Sequence, residues 1–92
     1  MKGLTPLLLF LFFSFSHLIA QENPAIDSLQ KIITNASDEK LKADALVELS
    51  LEYISFDSKQ AYEHAKESIS LSKKLNYLHG EIEGMNALAT IE

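Results

Sequence analysis

The sequence predicts an all-α protein. After residue 21 there is no sustained alternation of apolar and polar residues and no Asn-Gly or Asp-Gly turn, so nothing predicts a strand. Apolar residues recur instead at spacings of three and four, and Asn, Asp and Ser stand where such runs begin. We therefore expect short helices whose brief connections make neighbours run antiparallel.

The first twenty residues have the layout of a secretory signal peptide. Lys2 and the amino end precede an apolar run over residues 7–13, and small residues follow. That run is shorter than the roughly 20 residues that span a membrane. We favour cleavage after Ala20 over cleavage after Ser16, with an uncleaved anchor as the alternative. The prediction is an exported protein, either periplasmic or extracellular.

Composition excludes several functions. A chain of 92 residues allows one small domain. The absence of Cys excludes a disulfide scaffold, a Cys-ligated zinc site and a thiol nucleophile. Thirteen acidic residues against eight basic ones, none of them Arg, give a net charge of −5. Binding of nucleic acid is not expected, because phosphate contacts need clustered positive charge.

Two helices are predicted in the first half of the mature chain. The first covers about 24–35, with Asn23 as its N-cap and Pro in its first turn. The second starts after Ser37 or Asp38 and extends to about Ser55. Its apolar residues cover most of its girth, so we expect it to pack between two neighbours.

Two further helices are predicted in the second half. Asp57 can cap the third, and Gln60 would complete a capping box. This helix extends to about Leu75, with Asn76 as its stop, and it presents a stripe of small residues: Ala61, Ala65, Ser68 and Ser72. The fourth helix is predicted to start near Gly80 and to continue to the last residue.

The chain repeats a pattern after 39 residues, a period typical of helical solenoids. The matching pairs are Leu46 and Met85, Leu49 and Leu88, and Ser50 and Ala89. Leu46-x-x-Leu49-Ser50-x-x-Tyr53 resembles the first-helix signature of the tetratricopeptide repeat. Ala61-x-x-x-Ala65-x-x-Ser68 resembles the second-helix signature, and Met85, Leu88 and Ala89 resemble the start of a further first helix.

The resemblance implies antiparallel helix pairs stacked as a short right-handed α-solenoid of about 1.5–2 repeats. After the signal peptide (1–20), it divides the chain into an exposed start with a leading half-repeat helix (21–37), one repeat (38–76) and the first helix of an incomplete second repeat (77–92). Four features depart from the family, and the first is that no Pro ends the third helix. The period exceeds the usual value of about 34, Ser replaces Gly or Ala at Ser50 and Ser68, and Glu92 stands where a second Tyr is expected.

The resemblance also implies a partner-binding groove lined by the first helix of the repeat. The positions that it places in the groove are Asp44, Val47, Leu51, Ile54 and Ser55. Such a strip would suit a peptide with apolar anchors. The alternative is that Val47, Leu51 and Ile54 pack against the first helix or the next repeat.

Nothing in the sequence predicts catalysis, a cofactor or a metal site. His64 has no second His four residues away, and we expect His64 and His79 to be surface residues rather than metal ligands. No serine stands in a nucleophile elbow. The acids Asp44, Glu48 and Glu52 follow one another at four-residue spacing. They form either a solvated face or an attraction for a basic partner.

The sequence thus favours an exported protein–protein interaction or scaffold module. The open apolar last helix is expected to meet further repeats of the same polypeptide, a partner, or a second copy. The layout also resembles the extracytoplasmic repeats of bacterial envelope signalling proteins. The first alternative is therefore the input segment of a membrane histidine kinase or cyclase, with its catalytic part downstream. The second is a small self-associating exported protein.

Overall fold

The computed structural model describes residues 23–92 of the chain. It contains four α-helices: α1 (Pro24–Asn35), α2 (Glu39–Tyr53), α3 (Ser58–Lys74) and α4 (Leu78–Ile91). No strand occurs between residues 23 and 92, and the predicted all-α class is confirmed there. The predicted signal peptide, with its two cleavage points, lies outside the described residues.

Side-chain caps start α1 and α2 where the sequence predicts. Asn23 Oδ1 accepts hydrogen bonds from the backbone N–H groups of Ala25 and Ile26, at 3.1 and 3.2 Å. For α2 the structure selects Asp38 rather than Ser37, because Asp38 Oδ1 accepts from Lys40 N at 3.0 Å. Each bond satisfies an N–H group that the first helical turn leaves without a partner.

The cap of α3 follows the prediction only in part. Asp57 Oδ1 accepts from the backbone N–H of Gln60 at 3.2 Å, as expected for an N-cap. The prediction that the Gln60 side chain accepts a hydrogen bond from the Asp57 N–H is wrong. The Asp57 N–H donates instead to the Tyr53 carbonyl at 2.8 Å, so the preceding turn already satisfies it.

The α3–α4 connection is a tight left-handed turn at Asn76. This residue has φ of 55°, a conformation that Asn tolerates better than most residues. The N–H of Tyr77 donates to the Ser72 carbonyl at 2.8 Å, and the N–H of Asn76 donates to the Lys73 carbonyl at 3.2 Å. These bonds close the end of α3 and start the next helix almost at once.

Two predicted boundaries are wrong by two residues. Helix α2 ends at Tyr53 rather than near Ser55, because the chain tightens into a turn in which the Phe56 N–H donates to the Tyr53 carbonyl at 3.1 Å. Helix α4 begins at Leu78 rather than near Gly80. The short turn before it leaves no room for a longer connection, and no side chain caps this start.

The core consists of two clusters that share α2. One lies between α1 and α2 and contains Leu29, Ala45 and Leu49, with Ile26, Ile33 and Tyr53 packed against it. The other joins α2, α3 and α4 and contains Val47, Ala65 and Ala87, with Leu88 and Ile91 packed against it. Helix α2 is therefore packed on two sides, as its distribution of apolar residues predicts.

Each helix contacts the next one along the chain, and α2 also contacts α4. In contrast, α1 and α3 do not approach each other: no pair of their Cα atoms lies within 8 Å. The four helices are thus laid side by side in sequence order, with α2 contacting all three of the others. An open space remains between α1 and α3 on one side of α2.

The α3–α4 contact is made by small residues. The predicted stripe on α3 is fully buried, and α4 opposes it with the buried Gly80 and Gly84. A Cβ atom at Gly84 would stand 2.7 Å from Ile69 Cγ1 and 3.4 Å from the Ile69 backbone nitrogen. One at Gly80 would collide with Ser72 Oγ. The two helices therefore approach more closely than larger side chains would allow.

Candidate functional site

The surface of α2 beside α1 forms a shallow cleft. Its walls are formed by both helices, and its lining residues are Ala25, Ser28, Leu29, Glu48, Leu51 and Glu52. Leu51 is 47% exposed, although it lies next to the core residue Leu29. The cleft therefore offers an apolar contact at the edge of the core. We call it the α1–α2 cleft.

Two carboxylates line the same cleft. Glu48 and Glu52 are exposed and lie one helical turn apart on α2. Within residues 23–92 neither of them forms an ion pair; the pairs present there involve other acids. Like charges at this spacing repel each other weakly. A cationic group placed between them would relieve that repulsion.

Of the predicted groove positions, Leu51 lies in the α1–α2 cleft. Ile54 and Ser55 follow the end of α2 in the turn, where Ile54 is half-buried and Ser55 is exposed. Val47 is only 7% exposed and packs with Ala65 and Ala87. The alternative stated above, packing against the next repeat, therefore describes Val47 better than a groove position does.

The fifth predicted position, Asp44, has an internal partner. Its two carboxylate oxygens accept from the Tyr77 hydroxyl at 2.9 and 3.2 Å. Lys40 Nζ lies 5.5 Å from the centre of the Tyr77 ring, within cation–π range. Asp44 thus fastens the α3–α4 turn to α2. Sequence reasoning missed this pairing, because the two residues are 33 positions apart and no local pattern links them.

The Asp44 carboxylate also acts on the ionisation of Tyr77. The hydrogen bond that the hydroxyl donates favours its protonated form and raises the pKa of Tyr77. Desolvation and the negative charge of Asp44 act in the same direction. The protonated phenol is therefore the form that holds the turn in place.

The predicted packing signature falls into a buried and a less buried group. Six residues on α2 and α3 are at most 2% exposed: Leu46, Leu49, Ser50, Ala61, Ala65 and Ser68. Tyr53 and Leu88 are half-buried, whereas Ala89 is exposed and Met85 is 48% exposed. Helices α2 and α3 thus bury all of these predicted residues except Tyr53, while the matching residues of α4 lie largely at the surface.

The two serines that depart from the family pattern make hydrogen bonds between α2 and α3. Ser50 Oγ donates to the Ala61 carbonyl at 2.6 Å, and Ser68 Oγ donates to the Ala43 carbonyl at 3.1 Å. Both hydroxyls are fully buried. A buried hydroxyl needs such a partner, so each serine combines small size with a specific link to the opposite helix.

A second cleft, between α1 and α3 above α2, was not predicted. Ile33 and Leu46 lie in its apolar part, and Glu67 stands on its rim. His64 also lines it, stacked on Tyr53 with ring centres 5.5 Å apart. The cleft exists because no Cα atom of α1 comes within 8 Å of one in α3. That separation depends on how both helices sit on α2, which local sequence does not specify.

The described residues show no arrangement that suggests a metal site. No group of three or more His, Asp or Glu side chains between residues 23 and 92 could hold a metal ion. His64 Nδ1 lies 4.0 Å from Glu67 Oε1 and makes no hydrogen bond. No helix in this range is long and apolar enough to cross a membrane. The predicted lack of a catalytic or cofactor role stays a prediction.

The described residues thus form an all-helical fold with a cleft between α1 and α2. Comparison with protein-family models, with curated proteins and with solved structures finds no match.

Proposed function

We propose that residues 23–92 form a helical-repeat module that binds a peptide or protein segment in the α1–α2 cleft. The observation that carries this proposal is Leu51. It is a large apolar side chain, 47% exposed, and it lies beside the core in the same cleft as two exposed carboxylates. The module acts by binding, without chemistry of its own.

The cleft has the two features that peptide-binding surfaces combine. Leu51 and the neighbouring Leu29 offer an apolar surface where an anchor side chain can lose water. Glu48 and Glu52 offer negative charge on the rim, which favours a ligand with Lys or Arg beside its anchor. We therefore expect the partner segment to be apolar and basic rather than acidic.

Several contacts support the tetratricopeptide-like arrangement within this proposal. The Ser50 and Ser68 bonds join the end of α2 to the start of α3, and the start of α2 to a later part of α3. That is the pattern of an antiparallel pair. The additional contact of α2 with α4, together with the 39-residue repeat, suits stacking as a short right-handed solenoid.

Export is the remaining part of the proposal. Its support is the layout of residues 1–20, with a positive end, an apolar run and small residues before Gln21. We infer that the module acts in the periplasm or outside the cell.

A peptide-display experiment tests the binding proposal. A random-peptide library is panned on the protein, and binders to the Leu51→Asp variant are removed by counter-selection. We expect enriched peptides with an apolar anchor next to Lys or Arg. A synthetic copy of one of them should bind Leu51→Asp at least about tenfold more weakly, because a charge replaces the anchor contact.

Met85→Asp is the matched control. Met85 is as exposed as Leu51, at 48%, but it lies on α4 away from the cleft. This variant should bind the selected peptide as the natural protein does, and circular dichroism should show the same helix content for both variants. Failure to enrich any peptide that distinguishes the natural protein from Leu51→Asp would contradict the proposal.

A further inference from the structure

The side of α4 that faces away from α3 carries an uncovered apolar stripe. Leu78, Ile82, Met85 and Ala89 follow one another at spacings of four, three and four, so they share one face of the helix. Leu78 is 67% exposed, Ile82 45% and Met85 48%. The opposite side of α4 is the buried one. We call this stripe the outer face of α4.

The matching face of α2 is buried under another helix. Residues 39 positions earlier than Ile82, Met85 and Ala89 are Ala43, Leu46 and Ser50. These three are at most 2% exposed. The two serine hydrogen bonds show that α3 covers them, since one is accepted by the Ala43 carbonyl and the other is donated by Ser50.

Charge distinguishes the covering helix from the helices on either side of it. Helix α3 carries four Lys and two Glu, whereas α2 carries four acids and two Lys. A basic helix with small side chains therefore lies on an acidic helix with larger ones. Helix α4 is again acidic: its charged residues are Glu81 and Glu83, and it has no Lys.

We propose that the outer face of α4 docks a partner helix with the chemistry of α3. That helix carries Ala or Ser at spacings of four and three, with lysines beside the stripe. A second copy of the chain fits less well. It would bring one acidic α4 against another, and its own small-residue stripe is already buried. This inference goes beyond the proposed function, because it concerns another helix and another face.

The test uses the α3 sequence itself as the probe. A fluorescent synthetic peptide of residues 57–76 is titrated with the full chain, and its anisotropy is measured. We expect saturable binding that weakens as salt is raised, since lysines meet an acidic helix. A second peptide, with Lys in place of Ala61, Ala65 and Ser68, should not bind.

Two variants of the full chain locate the binding site. Met85→Lys places a positive charge on the outer face and should weaken peptide binding at least about tenfold. Leu41→Lys makes the same change at a residue of equal exposure on α2, outside the α1–α2 cleft. It should change binding by less than about twofold. Circular dichroism should show that both variants keep their helix content.

Three outcomes would overturn the inference: no binding of the peptide, equal binding to the natural chain and Met85→Lys, or equal weakening by both variants. Light scattering that shows a dimer abolished by Met85→Lys would also overturn it, because a second copy would then be the occupant. Loss of binding in the Leu41 variant alone would implicate a surface of α2 and not this face.

Discussion

Ser50 and Ser68 show how single atoms position the helices. Both stand where the resemblance to tetratricopeptide repeats favours Gly or Ala, and both use the extra hydroxyl to reach a carbonyl of the opposite helix. Each bond lies where water is excluded, so no water molecule can replace it when the hydroxyl is removed. The sequence pattern predicted that these positions are small, but it did not predict the bonds.

Replacing Ser50 with Ala tests this role. The variant keeps a small side chain but loses the 2.6 Å bond to the Ala61 carbonyl. We expect the free energy of unfolding to fall by about 1 kcal/mol, measured by urea denaturation. Ser70→Ala is the control, because Ser70 is an exposed residue of α3 and its change should have little effect. Equal unfolding midpoints for Ser50→Ala and the natural protein would contradict the account.

Tyr77 predicts a dependence of stability on pH. Its pKa is raised above the ordinary value of 10.0, mainly by the hydrogen bond to Asp44. The folded protein therefore holds this proton more tightly than the unfolded chain does. The stabilisation is fully present below the unfolded pKa of about 10 and is lost as the pH rises through the higher folded pKa.

The comparison with Tyr77→Phe isolates this effect. Above pH 10 the natural protein should lose more of its free energy of unfolding than the variant does, because the variant has no hydroxyl to ionise at this position. The absorbance of tyrosinate near 295 nm should also show a late-ionising group that the variant lacks. Parallel pH profiles for the two proteins would mean that the Asp44 bond does not stabilise the fold.

At the scale of elements, the helices were predictable because their ends are encoded locally. Asn23, Asp38 and Asp57 each bind an N–H group within the next three residues, so a short window of sequence holds the whole cap. The start of α4 has no such side chain. Its position follows from the turn at Asn76, and for that reason its boundary was predicted less well.

The glycines of α4 show what periodicity alone does not predict. The repeat pattern points to Met85, Leu88 and Ala89 as packing residues. In the structure Leu88 does pack against the second core cluster, whereas Met85 and Ala89 are exposed. The closest approach to α3 is made by Gly80 and Gly84. The 39-residue correspondence matches α4 to α2. The face of α2 that α3 covers corresponds to a face of α4 that no helix between residues 23 and 92 covers. Helix α4 therefore packs through its opposite face, which carries the two glycines.

Gly84→Ala should destabilise the protein although Ala is the better helix former. In an open helix the change would add roughly 0.5–1 kcal/mol of stability. Here the new Cβ would stand 2.7 Å from Ile69 Cγ1, and overpacking of this kind costs about 1–3 kcal/mol. Thermal unfolding followed by circular dichroism measures the balance.

The control for Gly84→Ala is Asn86→Ala, two residues further along α4 at an exposed position. It should leave stability unchanged or raise it slightly, because Ala favours the helix more than Asn does. A gain in unfolding temperature for Gly84→Ala equal to that of Asn86→Ala would show that α3 and α4 do not approach as closely as the structure indicates.

At the scale of the whole molecule, the fold class was predictable, but the clefts were only partly so. Leu51 could be placed on a candidate groove by the resemblance alone. The α1–α3 cleft could not be placed in this way, because it depends on two helices that both pack on α2 while their own Cα atoms stay more than 8 Å apart. The hydrogen bond between Asp44 and Tyr77 was not predicted for a related reason. A contact between residues 33 positions apart in sequence follows from the packing of helices and not from any local pattern.

The central claim is that a partner segment binds between α1 and α2. Nuclear magnetic resonance of the ¹⁵N-labelled protein, titrated with a peptide selected by display, tests it most directly. We expect the largest amide shifts at the α1–α2 cleft: Ala25, Leu29, Glu48, Leu51 and Glu52. Shifts centred instead on the α1–α3 cleft, around Ile33, Leu46 and Leu71, would contradict the account.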